Sequence, residues 1–152
     1  MTMRARFVKP EAIRLPLSNG DWIDVKKRLN TGETRRLFAR MARDIRPGEK
    51  YSFNPEQIGL AKVLEYLLAW SFTDDARPVP YSLEMSVEQR EGLIGNLDPD
   101  DFVEIREAIE AHEERISEAR EKEKKERDGE HASKATSPSP DSVIGATTGS
   151  LS

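Results

Sequence analysis

Chemistry in this chain would have to come from two histidines, one acidic cluster and a group of arginines. The sequence contains no cysteine, which excludes disulfides, thiolate metal ligands and cysteine nucleophiles. His112 and His131 have no companion at the spacing of a metal site, and the sequence has neither a Gly-rich phosphate loop nor a Gly-x-Ser-x-Gly motif. We therefore predict no catalytic residue, no metal ligand and no cofactor, and we do not expect an enzyme.

The acidic cluster consists of Asp98, Asp100, Asp101 and Glu104. Carboxylates at this density could hold a divalent cation, but a calcium loop arranges its ligands around a glycine, and this segment has none. Acidic residues in a first turn also stabilise the positive end of a helix dipole. Because Pro99 stands where a first helical residue would, the cluster favours a capped helix N-terminus.

Arginines occupy much of the first predicted helix. They are Arg35, Arg36, Arg40 and Arg43, followed by Arg46 and preceded by Lys26, Lys27 and Arg28. Such a set could bind the phosphates of a nucleic acid. However, the chain carries a net charge of −4, Phe38 falls on the apolar face of this helix, and no helix-turn-helix spacing is evident. The favoured interpretation is a solvated or protein-binding face.

Two tryptophans are candidates for a protein interface, because tryptophan is enriched in interaction hot spots. Trp22 alternates with Ile23 and Val25 along a predicted strand and should point away from them. Trp70 ends an apolar segment and is better explained as a core residue. The candidate protein-interaction residues are Trp22, Arg36, Arg40, Arg43 and Trp70.

A β-hairpin is predicted ahead of the helices. Residues 13–17 and 22–25 alternate between apolar and polar positions, and Asn19-Gly20 lies between them. Asn-Gly accepts positive φ at both turn positions and is a strong hairpin signal. Pro16 lacks an amide donor, so its strand should be an edge strand. Since an isolated hairpin is marginal in water, its apolar face must pack on the helices or on another chain.

Four helices are predicted after the hairpin. Their starts are Asn30-Thr31 with Glu33, Asn54-Pro55, Ser86 with Gln89, and Asp98-Pro99. The first helix should end at Pro47-Gly48. The second should run to about Ser71 and form the buried spine of the core, because it is apolar around most of its circumference. Residues 72–82 are predicted to be a proline-containing loop.

The predicted fold is mainly α with a small N-terminal β-hairpin: a compact bundle of about four helices followed by a disordered C-terminal tail. We divide the chain into a flexible N-terminal arm at 1–10, a helical domain at 11–116, a charged helical extension at 117–127 and the disordered tail at 128–152. The tail consists largely of Gly, Ser, Thr, Pro and Ala, which cannot offset the entropy of ordering.

Charge is distributed unevenly along the chain. Residues 1–50 contain 13 basic and 6 acidic residues, whereas residues 51–116 contain 5 basic and 15 acidic residues. This asymmetry suggests intramolecular complementarity or head-to-tail contacts between copies, the alternative being two solvated faces of opposite sign. No apolar run is long enough to cross a membrane, and no secretory signal is evident, so we expect a cytoplasmic protein without membrane contact.

Three segments carry a family resemblance. They are residues 18–33 (SNGDWIDVKKRLNTGE), residues 65–75 (EYLLAWSFTDD) with Pro78-Val-Pro80, and residues 97–109 (LDPDDFVEIREAI). Together with the charged helix and low-complexity tail that follow, they resemble the tail assembly chaperones of long-tailed bacteriophages. The resemblance covers roughly residues 11–116 and is one of pattern.

The resemblance implies a function in phage assembly. Such a chaperone binds the long, hydrophobic tape-measure protein, helps the tail-tube protein to polymerise around it, and is absent from the mature virion. It acts in the cytoplasm of the infected bacterial host, with self-association among its expected contacts. Many members are made in a shorter and a longer form through a ribosomal frameshift. In this chain the two forms would then begin to differ in the tail. The alternatives are a virion structural or head–tail connector protein and a small nucleic-acid-binding regulator using the Arg-rich first helix.

Overall fold

Residues 6–42, 48 and 54–135 are described in the computed structural model, with side chains described as far as residue 128. Contacts divide the chain into two units, Met1–Glu114 and Arg115–Ser152. Several sequence predictions lie outside the described residues: the first part of the N-terminal arm, the end of the first helix at Pro47 with Arg43 before it, and the tail from residue 136.

The described part of the chain is mainly helical, with a small antiparallel sheet near the N-terminus, which confirms the predicted fold class. The strands are β1 (Ala12–Pro16), β2 (Trp22–Lys26), β3 (Leu67–Trp70), β4 (Thr73–Asp74) and β5 (Arg77–Pro78). The helices are α1 (Thr31–Met41), α2 (Pro55–Tyr66), α3 (Val87–Gly95) and α4 (Pro99–Ala135). α4 continues past residue 127, where the predicted helical extension ended.

The N-terminal hairpin forms as its turn residues predict. Asn19 and Gly20 both have positive φ, at 57° and 79°, which Asn and Gly tolerate better than other residues. β1 pairs with β2 in antiparallel register from Ala12 opposite Lys26 to Pro16 opposite Trp22. β1 is an edge strand of the three-stranded sheet β1–β2–β3, as Pro16 requires.

The prediction that the second helix continues to about Ser71 is wrong. α2 ends at Tyr66, and Leu67 turns extended with φ −70° and ψ 127° to begin β3. β3 pairs with the free side of β2, with Trp70 opposite Ile23 and Leu67 opposite Val25. Hydrogen bonding of this edge and burial of Leu67 outweigh the local helical preference of the segment.

The loop predicted at residues 72–82 contains a short hairpin. β4 and β5 pair antiparallel across Asp75 and Ala76, which both have positive φ. Such a conformation is uncommon outside glycine, so the sequence gives little local indication of this turn. Val79 follows the hairpin and donates its amide to the carbonyl of Phe72 at 3.0 Å.

The helix starts are confirmed in detail. Asn30 and Glu33 form a capping box at α1, and Ser86 and Gln89 form another at α3. The Asn54 side chain accepts the amide of Glu56 at α2, where Pro55 is the first helical residue. The Asp98 carboxylate accepts the amide of Asp100 at 2.9 Å. Each cap satisfies an amide that the first turn leaves without a helical partner.

The core of the first unit lies between the inner face of the sheet and the helices. Ile23 and Val25 of β2 are fully buried, together with Val63, Leu67, Ile105 and Ile109. Ile13 and Leu17 pack against this cluster beside the buried Leu15, so the apolar hairpin face packs on the helices as predicted. α2 is a buried element of this core, and five of its last six residues are buried: Ala61, Val63, Leu64, Glu65 and Tyr66.

The second unit contains the C-terminal part of α4. Its described side chains are exposed from Ser117 to Asp128, in keeping with the high charge of this segment. Within the part of the chain that the structure describes, no helix is both long enough and apolar enough to cross a membrane.

Candidate protein-interaction site

One buried carboxylate lies against three cations from the first half of the chain. Glu65, near the end of α2, is 2% exposed. Arg36 of α1 donates to it twice, from Nε to Oε1 at 3.2 Å and from Nη2 to Oε2 at 2.9 Å. Lys26 of β2 donates from Nζ to Oε2 at 3.0 Å, and Arg40 Nε lies 3.7 Å from Oε1. The carboxylate thus ties the sheet to both α1 and α2.

A second carboxylate completes this charge network. Glu33 Oε2 lies 2.6 Å from Lys26 Nζ, while Glu33 Oε1 accepts the Asn30 amide in the capping box. Burial by itself raises the pKa of Glu33 and of Glu65, but their hydrogen bonds and opposite charges outweigh it and hold both pKa values below the usual one. Both groups are therefore ionised at neutral pH.

The network gives two of the predicted interaction residues a structural partner. Arg36 and Arg40 are brought together on Glu65, whereas Arg43 lies outside the described residues. The sequence indicated basic residues on this helix but not their anchor. The available signal was Glu65 itself, a single acid in an otherwise apolar stretch, because such a residue is seldom buried without a cation.

An open pocket of about 490 Å³ lies beside this network, where β1 begins and β2 ends. Its apolar lining comes from Val8, Pro10, Ala12, Leu68 and Leu83. Lys26, Arg28, Glu33 and Arg36 supply charged lining, with Glu11 and Asn30 completing it. The volume and the mixture of apolar surface with a few polar groups are typical of ligand-binding pockets. Sequence reasoning missed this site because its residues are far apart in the chain.

The two tryptophans occupy different environments. Trp70 is 8% exposed, donates its indole N–H to the Val79 carbonyl at 2.6 Å and packs against Phe72 and Tyr81. Trp22 is half-buried, and the Arg14 guanidinium lies 3.5 Å from the centre of its ring. Arg14 also forms an ion pair with Asp24 at 2.8 Å. Trp70 is thus a core residue, while Trp22 lies on the polar face of the sheet with its ring covered by Arg14.

The first helix has an exposed basic and apolar surface. Phe38 is 58% exposed, and Arg35 and Ala39 beside it are exposed as well. The prediction that Phe38 belongs to the apolar core face is therefore wrong: Leu37, at 6% exposure, takes that position. Adjacent helical residues point about 100° apart, and in α1 the core lies on the side of Leu37, which leaves Phe38 directed toward solvent.

The first turns of α4 have the opposite charge. Val103 is 38% exposed, and Asp100 and Glu107, one turn before and after it, are exposed. Glu104 is not free, because its carboxylate accepts the amide and the hydroxyl of Ser18 at 2.7 and 3.0 Å. We call the surface with Val103, Asp100 and Glu107 the acidic α4 face, and the surface with Arg35 and Phe38 the basic α1 face. Phe38 lies beside Arg35 on the basic α1 face, and Val103 lies beside Asp100 and Glu107 on the acidic α4 face.

His112 is a buried residue that links α4 to the end of β2. Its side chain is 2% exposed, and Nε2 lies 2.9 Å from the Lys27 carbonyl and 3.2 Å from the Lys26 carbonyl. It thereby fixes the end of β2 against α4. Among the residues that the structure describes, no group of three or more His, Asp or Glu side chains is placed to hold a metal ion.

Comparison of the chain with protein-family models, with curated proteins and with solved structures gives no significant match.

Proposed function

We propose that this protein is a non-catalytic tail assembly chaperone of a long-tailed bacteriophage. It binds the tape-measure protein, assists assembly of the tail tube around it and is absent from the mature virion. The observation that supports this proposal best is the open, largely apolar pocket beside the Glu65 network. The family resemblance of residues 11–116 supplies the identity of the client.

The pocket is suited to holding a side chain of a partner. Its described lining is made of Val, Pro, Ala, Leu, Lys, Arg, Asn and Glu residues. Among these side chains there is no hydroxyl, thiol or imidazole, so the lining offers no nucleophile with an adjacent base of the usual kinds. Leu83, 44% exposed, extends apolar surface to the outside, which a client helix can cover.

The charged faces support action in many copies. A long client needs successive chaperones along its length, each contributing a weak contact. The basic α1 face and the acidic α4 face are complementary in sign, and each has an apolar residue, Phe38 and Val103. Contact between these faces would align neighbouring copies head to tail. The pocket holds the client in this arrangement, and the opposite charges align neighbouring copies.

The arginines of α1 lend less support to a nucleic-acid regulator. Arg36 and Arg40 both lie against the Glu65 carboxylate, which neutralises part of the positive charge that phosphates would need. Among the described arginines of this set, Arg28 and Arg35 are exposed and have no ion pair with a described residue, which is a small electrostatic footprint.

The proposal is tested by co-expression with the client. The probe is the product of a very long, helix-rich reading frame downstream of the gene for this chain, and the readout is co-purification at low and high salt. We expect a complex at low salt that weakens when Leu83 is replaced by Glu. The matched control is Ala111→Glu, which adds the same charge at an exposed position of α4. Failure of the wild-type chain to form a complex at low salt would overturn the proposal.

Mass spectrometry of purified virions separates a chaperone from a structural or connector protein. We expect peptides of the tail tube and tape measure but none from this chain. Its recovery in amounts comparable to those of the tube protein would identify a virion component instead.

A further inference from the structure

The pocket and the charge network beside it carry an excess of positive charge. Among their described residues there are four cations, Lys26, Arg28, Arg36 and Arg40, and two anions, Glu33 and Glu65. Glu11, which also lines the pocket, is paired with Lys27 at 3.3 Å, so that pair adds no net charge. A ligand that carries negative charge next to apolar groups would complement both properties of the site.

We propose that the pocket binds a helical client segment in which an Asp or Glu carboxylate lies one turn from large apolar side chains. This inference rests on the proposed function, since it names the chemistry of the client at the same pocket. The apolar side chains of the client enter between Val8, Leu68 and Leu83. Its carboxylate binds to Arg28 and Arg36.

Two arginines have hydrogen-bonding capacity left for that carboxylate. Arg28 is exposed and lines the pocket, and it has no ion pair with any described residue. Arg36 gives two N–H groups to Glu65, and a guanidinium has five. Its side chain is 58% exposed, so the remaining donors are open to solvent. A carboxylate bound there would form charge-assisted hydrogen bonds without displacing Glu65.

Apolar surface outside the pocket favours a peptide over a small amphiphile. Phe7, which does not line the pocket, is 88% exposed and precedes the lining residue Val8. A fatty acid placed in the pocket would leave the Phe7 side chain in water. A helix spanning the pocket has further apolar residues, at helical spacing, with which to cover it.

The test uses two labelled peptides of about 16 residues, long enough to form helical turns when bound. Both carry Leu at i, i+3 and i+7; one has Glu at the flanking positions and its twin has Lys. Fluorescence anisotropy against the full chain at low ionic strength gives each Kd. We expect the Glu peptide to bind about tenfold more tightly, because the Lys twin places like charges at Arg28 and Arg36.

Variants locate the binding. Arg28→Glu should weaken binding of the Glu peptide about fivefold, and Leu83→Glu should weaken it too, whereas the matched control Arg77→Glu, on the exposed β5, should leave it unchanged. Equal affinity for the two peptides, or no effect of Arg28→Glu, would overturn the inference. Binding of laurate to the pocket without binding of the Glu peptide would overturn it in favour of a small amphiphile.

The outcome can be separated from that of the chaperone proposal. If the full-length client co-purifies equally well with wild-type, Arg28→Glu and Leu83→Glu chains, the chaperone function stands and the pocket assignment fails. If the Glu peptide binds the pocket but the client does not co-purify, the pocket chemistry stands and the client is another protein.

Discussion

Arg36 of α1 holds the Glu65 carboxylate of α2 through two hydrogen bonds, Nε to Oε1 at 3.2 Å and Nη2 to Oε2 at 2.9 Å. Bidentate pairs of this kind fix geometry as well as charge. The acceptor is buried while the donor is half exposed, at 2% and 58%. Glu65 therefore depends on its cations to remain ionised inside the protein, and Arg36 keeps contact with solvent.

Replacing Glu65 by Gln should lower the free energy of unfolding by about 3 kcal/mol, because the largely buried Arg40 would lose its anion among the described residues and Lys26 would keep only Glu33. Urea denaturation followed by circular dichroism measures this loss. Glu11→Gln is the matched control: it breaks the exposed Glu11–Lys27 pair and should cost less than about 1 kcal/mol. Equal losses for the two variants would show that the Glu65 network contributes no more than a surface ion pair.

The carboxylates of Glu65 and Glu33 make the free energy of unfolding depend on pH. Burial raises the pKa of Glu65 and Glu33, yet hydrogen bonds and nearby cations leave both pKa values below the ordinary 4.5 in the folded state. Groups with a lowered folded pKa contribute stability above the unfolded pKa, and they lose it as the pH falls through the folded one. The contribution of these two groups to the free energy of unfolding should therefore be constant above pH 4.5 and decrease below it.

Urea titrations at several pH values, from neutrality down to about pH 3, would show this decline. In Glu65→Gln the slope should be shallower, because only Glu33 of the pair still titrates with a lowered pKa. An unchanged slope would place the acid sensitivity elsewhere in the protein.

Local features of the fold could be predicted from the sequence because the interactions that create them are local. The caps at Asn30, Asn54, Ser86 and Asp98 each bond an amide two or three residues further on. The turn at Asn19-Gly20 requires only the conformational freedom of those two residues. Such signals stand in the sequence regardless of the tertiary structure.

Features that depend on distant partners could not be predicted in the same way. Leu67–Trp70 looks like the end of a helix, and only the unpaired edge of β2, more than 40 residues earlier in the chain, makes it a strand. The pocket brings together Val8, Arg28, Leu68 and Leu83, which no periodicity connects. Arg36 and Arg40 were identified as basic residues of a helix, but their shared anchor required knowledge of how α1 packs on α2.

The two tryptophans should respond differently to substitution. Trp70→Ala removes a buried ring and its hydrogen bond to Val79, and should destabilise the protein by about 4 kcal/mol. Trp22→Ala removes a half-buried ring from the sheet surface and should cost about 1 kcal/mol. Thermal or urea unfolding of both variants measures the difference. If Trp22→Ala were the more destabilising, the polar face of the sheet would contribute more to stability than its exposure implies.

Charge reversal tests whether the basic α1 face of one copy meets the acidic α4 face of the next. Arg35 and Glu107 are exposed, so Arg35→Glu and Glu107→Lys should each change stability by less than about 0.5 kcal/mol. Each should nevertheless weaken self-association, measured as the concentration dependence of the sedimentation coefficient, because it places like charges across the contact. High salt should weaken association of the wild-type chain as well.

The double variant Arg35→Glu/Glu107→Lys decides whether those two faces are partners. With both charges exchanged, neighbouring copies again present opposite signs, so association should recover toward the wild-type level. An equimolar mixture of the two single variants should recover in the same way, since the lysine introduced into α4 of one chain then faces the glutamate introduced into α1 of the other. A double variant that associates as weakly as either single one would show that α1 and α4 contact something other than each other, and head-to-tail alignment through these faces would have to be abandoned.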